Sequence, residues 1–320
     1  NWFNSGRTEA HKVGGELATV TTKEEYLFIV DNFKKDTDRA IIGLHDSSDD
    51  LNYRWTSGEE VDLSQLNSEL TLDFSSTGDH GEDYVGMYFE EPAASLGKLN
   101  DYGYGSGGMQ NLPTVGIAET PFIRRGDSAY VIVEGPTWEE AEANANKLGG
   151  HLVTINDAEE NQWLIDTFKD ANLSHYPDST PDQDIYWMGL ELNNGTWTWS
   201  SGEDLEYTNW GVKEPFGNGD RGQMILESDP RHVNIWSGTA GKWNDQENDV
   251  ISVGGLGHYG IAEIKIPKQI PEPVIYEDSI YTLNYIDHPR YENPVSGDEG
   301  DAIDPNKAWY SWDQNSKESY

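Results

Sequence analysis

The chain repeats itself, and a repeat constrains architecture before any local pattern does. Gly14-Gly15-Glu16-Leu17-Ala18-Thr19-Val20 returns as Gly149-Gly150-His151-Leu152-Val153-Thr154-Ile155. Ile41-Ile42-Gly43-Leu44 returns as Trp187-Met188-Gly189-Leu190, and Arg54-Trp55-Thr56-Ser57-Gly58-Glu59 as Thr198-Trp199-Ser200-Ser201-Gly202-Glu203. Leu99-Asn100-Asp101 matches Trp243-Asn244-Asp245, and Gly116-Ile117-Ala118-Glu119 matches Gly260-Ile261-Ala262-Glu263. The last three pairs share one offset, 260 − 116 = 144 residues, and every match falls in the same order. The 320 residues are therefore read as a first copy over 1–121, a second over 122–267 and a tail over 268–320. The first copy opens inside what the second builds at Trp138, so the protein is expected to extend further N-terminally.

Within the second copy, Tyr130-Val131-Ile132-Val133 is a β-branched run that reads as a strand. Thr137 then stands as an N-cap with Glu140 at the capping-box position. Trp138, Ala141, Ala145 and Leu148 fall on one face of the helix that follows, and Gly149-Gly150 ends it. Leu152-Val153-Thr154-Ile155 reads as a second strand and about Ala158 to Lys169 as a second helix. Beyond Leu190 the chain turns rich in β structure and loops, which makes the fold class α+β.

Charge narrows the partners. Lys and Arg number 21 against 58 Asp and Glu, a net charge of −37, which repels nucleic acid and anionic lipid alike. Excess carboxylate suits calcium, a hard cation with oxygen ligands, although most of the acidity is read as a solubility device. Twelve Trp, 17 Tyr and eight Phe supply core material and argue against wholesale disorder. Without cysteine there is no disulfide, thiolate zinc site or cysteine nucleophile. No apolar run is long enough to span a bilayer, so no membrane insertion is expected. The chain opens at Asn1 rather than Met, so an export signal is expected to lie outside it.

The second copy resembles a C-type lectin-like domain over nearly all its length. The elements that carry the resemblance are Trp138-Glu139-Glu140-Ala141, Gly150 to Ile155 with Glu159-Glu160, and Trp187 to Leu190. Trp197-Thr198-Trp199, Tyr207-Thr208-Asn209-Trp210, Glu214-Pro215 and Trp243-Asn244-Asp245 complete them. Order and spacing together make the set specific. The first copy resembles the same family more weakly. The resemblance implies tandem C-type-lectin-like domains, each with two helices, irregular antiparallel sheets and long loops. The family's usual disulfides are missing here, and Ala262 sits where a cysteine often precedes the final Glu. The family's sugar-site triplet Glu-Pro-Asn reads Glu214-Pro215-Phe216.

By that resemblance Glu214, Asn244 and Asp245 are core calcium ligands, with a cis peptide before Pro215 aiming the Glu214 carbonyl inward. Asp220 supplies a further carboxylate. Glu214, Asn218 and Asn244 bind the sugar, Asn218 replacing the amide oxygen absent at Phe216. Vicinal hydroxyls displace water from the ion while the same side chains hydrogen-bond them. Trp-Asn-Asp also occurs where Trp only packs a core and Asn-Asp only shapes a turn. In the first copy Glu82, Asn100 and Asp101 occupy the matching places of a degenerate site, with Leu99 in place of the Trp.

No acid–base pair, nucleophile elbow or phosphate loop is legible, so the chain is read as a non-enzyme. Arg125-Gly126-Asp127 reads as a turn before a strand. Pro267, Pro271 and Pro273 stiffen a linker, after which an aromatic, acidic tail is either an extended arm or the start of a further module. The leading functional expectation is an extracellular, secreted or surface-exposed adhesion protein that binds a glycan or glycosylated surface with calcium as cofactor. The alternative is an assembly component, in a surface filament, a cell-surface layer, or a virion fibre or decoration, whose partner is a protein or the chain itself.

Overall fold

A computed structural model describes residues 2–46, 52–74, 82–89, 98–103, 113–171, 185–217, 219–227, 239–248, 259–266, 275–276 and 279–285. The chain forms two compact units, one of residues 1–10, 15–121 and 273–320 and the other of 11–14 and 122–272.

The first unit carries α1 (Trp2–Lys12), β1 (Glu16–Leu17), α2 (Lys23–Phe33), β2 (Arg39–His45), β3 (Arg54–Trp55), α3 (Leu63–Glu69), β4 (Thr71–Asp73), β5 (Glu82–Tyr88), β6 (Lys98–Gly103) and β7 (Val115–Pro121). The second carries β8 (Ile123–Arg125), β9 (Ser128–Glu134), α4 (Trp138–Lys147), β10 (His151–Leu152), α5 (Ala158–Phe168), β11 (Ile185–Asn193), β12 (Thr196–Trp199), β13 (Arg221–Ile225), β14 (Trp243–Gln246) and β15 (Tyr259–Lys265). Two more strands, β16 (Ile275–Tyr276) and β17 (Ser279–Tyr285), lie in the segment read from sequence as linker and tail, and they join the first unit's sheet.

Among the described residues the second sheet runs β14-β13-β11-β15-β9-β8, with β10 on β15 and β12 on β11. The first runs β16-β17-β7-β2-β5-β6-β4, with β1 on β7 and β3 on β2. A parallel pairing joins β11 to β15 through Trp187 and Gly260, and its counterpart joins β2 to β7 through Ile41 and Gly116. The repeat read from sequence is thus a repeat of strand register.

The local signals act as their chemistry requires. Thr137 accepts from the Glu140 N–H at 3.2 Å, and Glu140 reaches back to the Thr137 N–H at 3.2 Å, closing the capping box of α4. Asp157 caps α5 by accepting from the Glu160 N–H at 2.7 Å. At the Gly pair each residue has its own task. Gly149 and Gly14 take φ of +84° and +76°, the left-handed turn that stops a helix. Gly150 presses on the last strand so closely that a Cβ there would lie 2.2 Å from the Glu263 carbonyl oxygen, and one on Gly15 would lie 2.5 Å from that of Glu119. Gly150→Ala must move backbone rather than a flexible side chain. It should cost the second unit at least ~2 kcal/mol, read as a lower denaturant midpoint.

The second strand of this copy is shorter than the sequence suggests, because the run leaves the ladder after Leu152. Val153 still donates to Ile261 O at 2.7 Å, but the Thr154 and Asn156 N–H groups go to the carboxylates of Glu263 (3.3 Å) and Glu160 (3.0 Å). Those two buried carboxyls are spanned by Tyr130, whose hydroxyl lies 2.9 Å from Glu160 and 3.3 Å from Glu263. Glu142 ties α4 to β10: it accepts from the Leu152 N–H at 2.8 Å and lies 2.6 Å from His151 Nδ1.

The bond to Glu142 raises the His151 pKa above its ordinary 6.5, against the opposing effect of burial. Protonated His151 is therefore favoured by folding. Its contribution is complete below the unfolded value and fades as pH rises through the higher folded one. An NMR titration should find this imidazole protonated at higher pH than an unperturbed histidine. Glu142→Gln should return it towards 6.5.

With no disulfide, aromatics fill the second core. Trp187 and Trp243 are fully buried. Trp243 meets Trp199, Tyr207 and Trp210 edge-on at centroid distances of 5.7, 5.6 and 5.9 Å. Its Nε1 donates to Asn161 Oδ1 at 2.8 Å. This ring fixes β14, and hence the two residues that follow it.

Candidate functional site

Asn244 and Asp245 follow Trp243 on β14, opposite Gln223 and Gly222 of β13. The loop of residues 211–219 closes over them. Gly211 donates to Trp243 O at 2.9 Å and Glu214 to Gly211 O at 3.1 Å, so the loop turns directly on the core tryptophan's backbone. The Glu214–Pro215 peptide is cis.

Asp245 is fully buried and accepts three backbone N–H bonds from this loop. Oδ1 receives Phe216 at 2.7 Å, and Oδ2 receives Gly217 at 2.9 Å and Gly219 at 3.0 Å. Glu214 also receives the Phe216 N–H, at 2.9 Å. The two carboxyls are therefore neighbours around one loop. Burial, then the adjacent Asp245, pushes the Glu214 carboxyl up to about 7. Burial opposes charge on Asp245 as well, but Glu214 and the three N–H donors outweigh it and hold Asp245 below the usual carboxylate range.

Asn244 is 5% exposed, and its Oδ1 has no hydrogen-bond partner among the described residues. Its Nδ2 lies 3.5 Å from Gln223 Oε1, and Gln223 Nε2 is likewise buried without a partner. A buried amide oxygen left unpaired costs stability unless a group beyond the described residues uses it.

The sequence-derived ligands are thus partly gathered. Glu214 and Asp245 meet beneath one loop, while Asn244, the residue before Asp245 on β14, faces Gln223 across the ladder. Asp220 faces Arg221, whose Nη1 lies 3.2 Å from its carboxylate. Arg221 is itself held by Glu139 at 3.0 Å and stacks on Trp138 at 4.8 Å. Asn218 lies outside the described residues. Among those residues no three His, Asp or Glu side chains come together as a metal cluster. The oxygen donors these residues could offer a cation are the neighbouring Glu214 and Asp245 carboxyls and, on the residue before Asp245, the Asn244 amide oxygen. All are oxygen donors, which suits calcium rather than a softer metal.

Sequence reasoning missed Gly217 and Gly219. Their N–H groups make the loop an anion-holding nest around Asp245, and Gly219 packs so tightly on Gln246 that a Cβ would lie 2.2 Å from its carbonyl carbon. The spacing of these glycines was the only available signal. Val212 and Phe216, 77% and 72% exposed, put two large apolar side chains on the same loop.

In the first unit Asn100 and Asp101 hold the register of Asn244 and Asp245, paired with Gly86 and Val85. Asp101 is buried and accepts from the Tyr53 hydroxyl at 3.3 Å; burial, then this carboxylate, pushes the Tyr53 pKa up. Glu82 starts β5 opposite Gly103, two residues beyond Asp101.

Residues 134–250 match the family model of the lectin C-type domain, and this stretch contains the loop, β13 and β14. Over that stretch the second unit is similar to the lectin C-type domain. The chain is 30% identical over 115 residues to the perlucin-like protein of Mytilus galloprovincialis, covering 35% of this chain and 63% of that protein. It is similar also to bovine (Bos taurus) E-selectin, 33% identical over 126 residues, or 38% of this chain and 22% of that protein. The human C-type mannose receptor 2 aligns over 241 residues at 26% identity, 70% of this chain and 15% of the receptor. Each match spans less than two thirds of the relative's own length. Among solved structures, the cow C-type carbohydrate-recognition domain of CD23 is 24% identical with a TM-score of 0.34, covering 46% of this chain and 95% of that one. No helix among the described residues is long and apolar enough to cross a membrane.

Proposed function

We propose that the second unit is a calcium-supported glycan-binding domain, with Glu214, Asn244 and Asp245 as its ion- and sugar-facing residues. The observation that carries this reading is the Glu214–Asp245 carboxyl pair around one loop, with the Oδ1 of the preceding strand residue, Asn244, buried and without a partner among the described residues, in a stretch that matches the lectin C-type model. Calcium would be held by Glu214 and Asn244, with Asp245 turned partly towards the ion and partly to the loop's N–H groups. Bound calcium supplies a centre on which two sugar hydroxyls replace water. Asp220, for the ion, and Asn218, for the sugar, belong to the proposal as further groups.

With so few carboxylates the affinity for calcium is expected to be low, about 10⁻⁴–10⁻³ M, in the range of extracellular modules. That range suits an extracellular, secreted or surface-exposed protein meeting a glycosylated surface. Glycan-array binding by the full chain, with calcium and then with chelator, tests the reading. Binding abolished by chelator is the expected result; an array with no chelator-sensitive glycan would sink it.

Phe216 and Val212 flank the proposed site and offer apolar surface to a sugar's C–H face. Phe216→Ala should leave stability within about 0.5 kcal/mol, since the ring is exposed. It should weaken glycan binding about 5- to 10-fold, a loss of ~1 kcal/mol of contact. Paired thermal melts and glycan titrations check both halves.

A further inference from the structure

The second unit's outer edge is built by a hairpin that directly precedes its first helix. In β8–β9, Arg124 pairs with Ala129 and Arg125 with Ser128. β9 then lies along β15 from Ser128–Lys265 to Glu134–Tyr259. The first unit has the same edge, but its hairpin comes from the far end of the chain. In β16–β17, Ile275 pairs with Ile280 and Tyr276 with Ser279. β17 then lies along β7 from Ser279–Pro121 to Tyr285–Val115.

The correspondence holds residue by residue. Ser128, Tyr130 and Val133 oppose Lys265, Glu263 and Gly260, while Ser279, Tyr281 and Asn284 oppose Pro121, Glu119 and Gly116. The strand offset is constant, 279 − 128 = 284 − 133 = 151, and the sheet offset is again 260 − 116 = 144. A slip of one residue would turn every side chain to the other face, so this agreement is specific. The sequences agree as well: Asp127-Ser128-Ala129-Tyr130-Val131-Ile132 against Asp278-Ser279-Ile280-Tyr281-Thr282-Leu283.

The chemistry of the acceptor explains why this pattern is needed. In the second unit the hairpin brings hydroxyls to a buried acid: Ser128 donates to Glu263 at 2.8 Å, and Tyr130 lies 3.3 Å from it. The first unit has the same acid pair, with Glu119 taking the Thr19 N–H at 3.1 Å and Glu25 the Thr21 N–H at 3.1 Å. Ser279 and Tyr281 stand at the register positions of Ser128 and Tyr130 against it. Ile280, 1% exposed, is buried on seating.

We propose that the edge of β7 is a strand-accepting slot and that residues 275–285 of the same chain are its built-in occupant. The slot selects a hairpin with small-hydroxyl and tyrosine residues two apart and an aliphatic one two residues further on, Ile132 in one hairpin and Leu283 in the other. It closes only after the whole second unit has been made, so the first unit is completed last.

The chain has no cysteine, so a disulfide can report the pairing without background. Ala118 and Thr282 are direct cross-strand partners. Oxidation of the full chain carrying Ala118→Cys and Thr282→Cys should give a monomer with a 118–282 bond, located by peptide mapping. Disulfide-linked dimers would place a second copy's hairpin in the slot and overturn the within-chain assignment. Absence of the bond in a folded chain would overturn the slot. Hydrogen exchange on the unmodified full chain tests the same claim without a variant. Amides of 279–285 should exchange at least ~100-fold more slowly than an unstructured peptide. Free exchange there would refute the proposal, whatever the disulfide variant does.

Discussion

Asp245→Ala should unfasten the 211–219 loop and abolish calcium binding. The wild-type carboxylate is fully buried and takes three backbone N–H bonds from Phe216, Gly217 and Gly219. A hydrogen bond to a charged acceptor contributes about 1.5–3 kcal/mol, and water reaches part of the loop once the carboxylate is gone. The expected net cost is therefore about 3 kcal/mol in the second unit rather than the sum of three bonds. Asp245→Asn should fall between the two, since one amide oxygen can still accept while the NH2 group faces donors. Calorimetric titration of the full chain with calcium, beside each variant, reads the ligand role. Saturable binding in wild type that disappears in both variants fits the proposed site. Saturable binding that survives in both would place the ion elsewhere and leave Asp245 as the loop's anchor.

Trp243→Ala should be more damaging still. The ring is fully buried, is surrounded edge-on by three aromatics, and its Nε1 bond satisfies Asn161. Truncating a buried Trp costs about 3–5 kcal/mol through lost transfer energy and the cavity left behind. Here Asn161 Oδ1 also loses its donor, which places the expectation at about 5 kcal/mol. Trp243→Leu should cost less, because Leu99 fills the same register position in the first unit, where it is fully buried. Denaturant unfolding should show one of two transitions moving sharply to lower denaturant while the other stays. A shift of both would mean that the units unfold together.

Much of the fold is legible in the sequence because its signals are local or periodic. Thr137 and Glu140 predict a capping box from spacing alone, and the box forms. Gly149-Gly150 announces a helix stop because a positive φ has few residues to serve it. The order Trp187, Trp199, Trp243 and Gly260 carries the resemblance, since each sits where packing admits little else. Of the site, Glu214, Asn244 and Asp245 were readable by resemblance. The pairing of Asp220 with Arg221 was not, because it depends on Trp138 and Glu139 holding that guanidinium across some eighty residues of chain.

What the sequence determined by itself was the repeat, the α+β class, the absence of disulfides and the short list of acidic and amide residues that ends at each Asn-Asp. Only the tertiary structure decided how those residues are used. Asp245's lone pairs go largely to backbone N–H groups, the Asn244 oxygen has no partner among the described residues, and the hairpin at 275–285 lies on a strand more than 150 residues earlier. The physical reason is the same in each case. Caps, turns and periodic faces are settled within a few residues of chain. Hydrogen-bond satisfaction and strand edges are settled by whichever groups the fold brings together, and no local spacing encodes that.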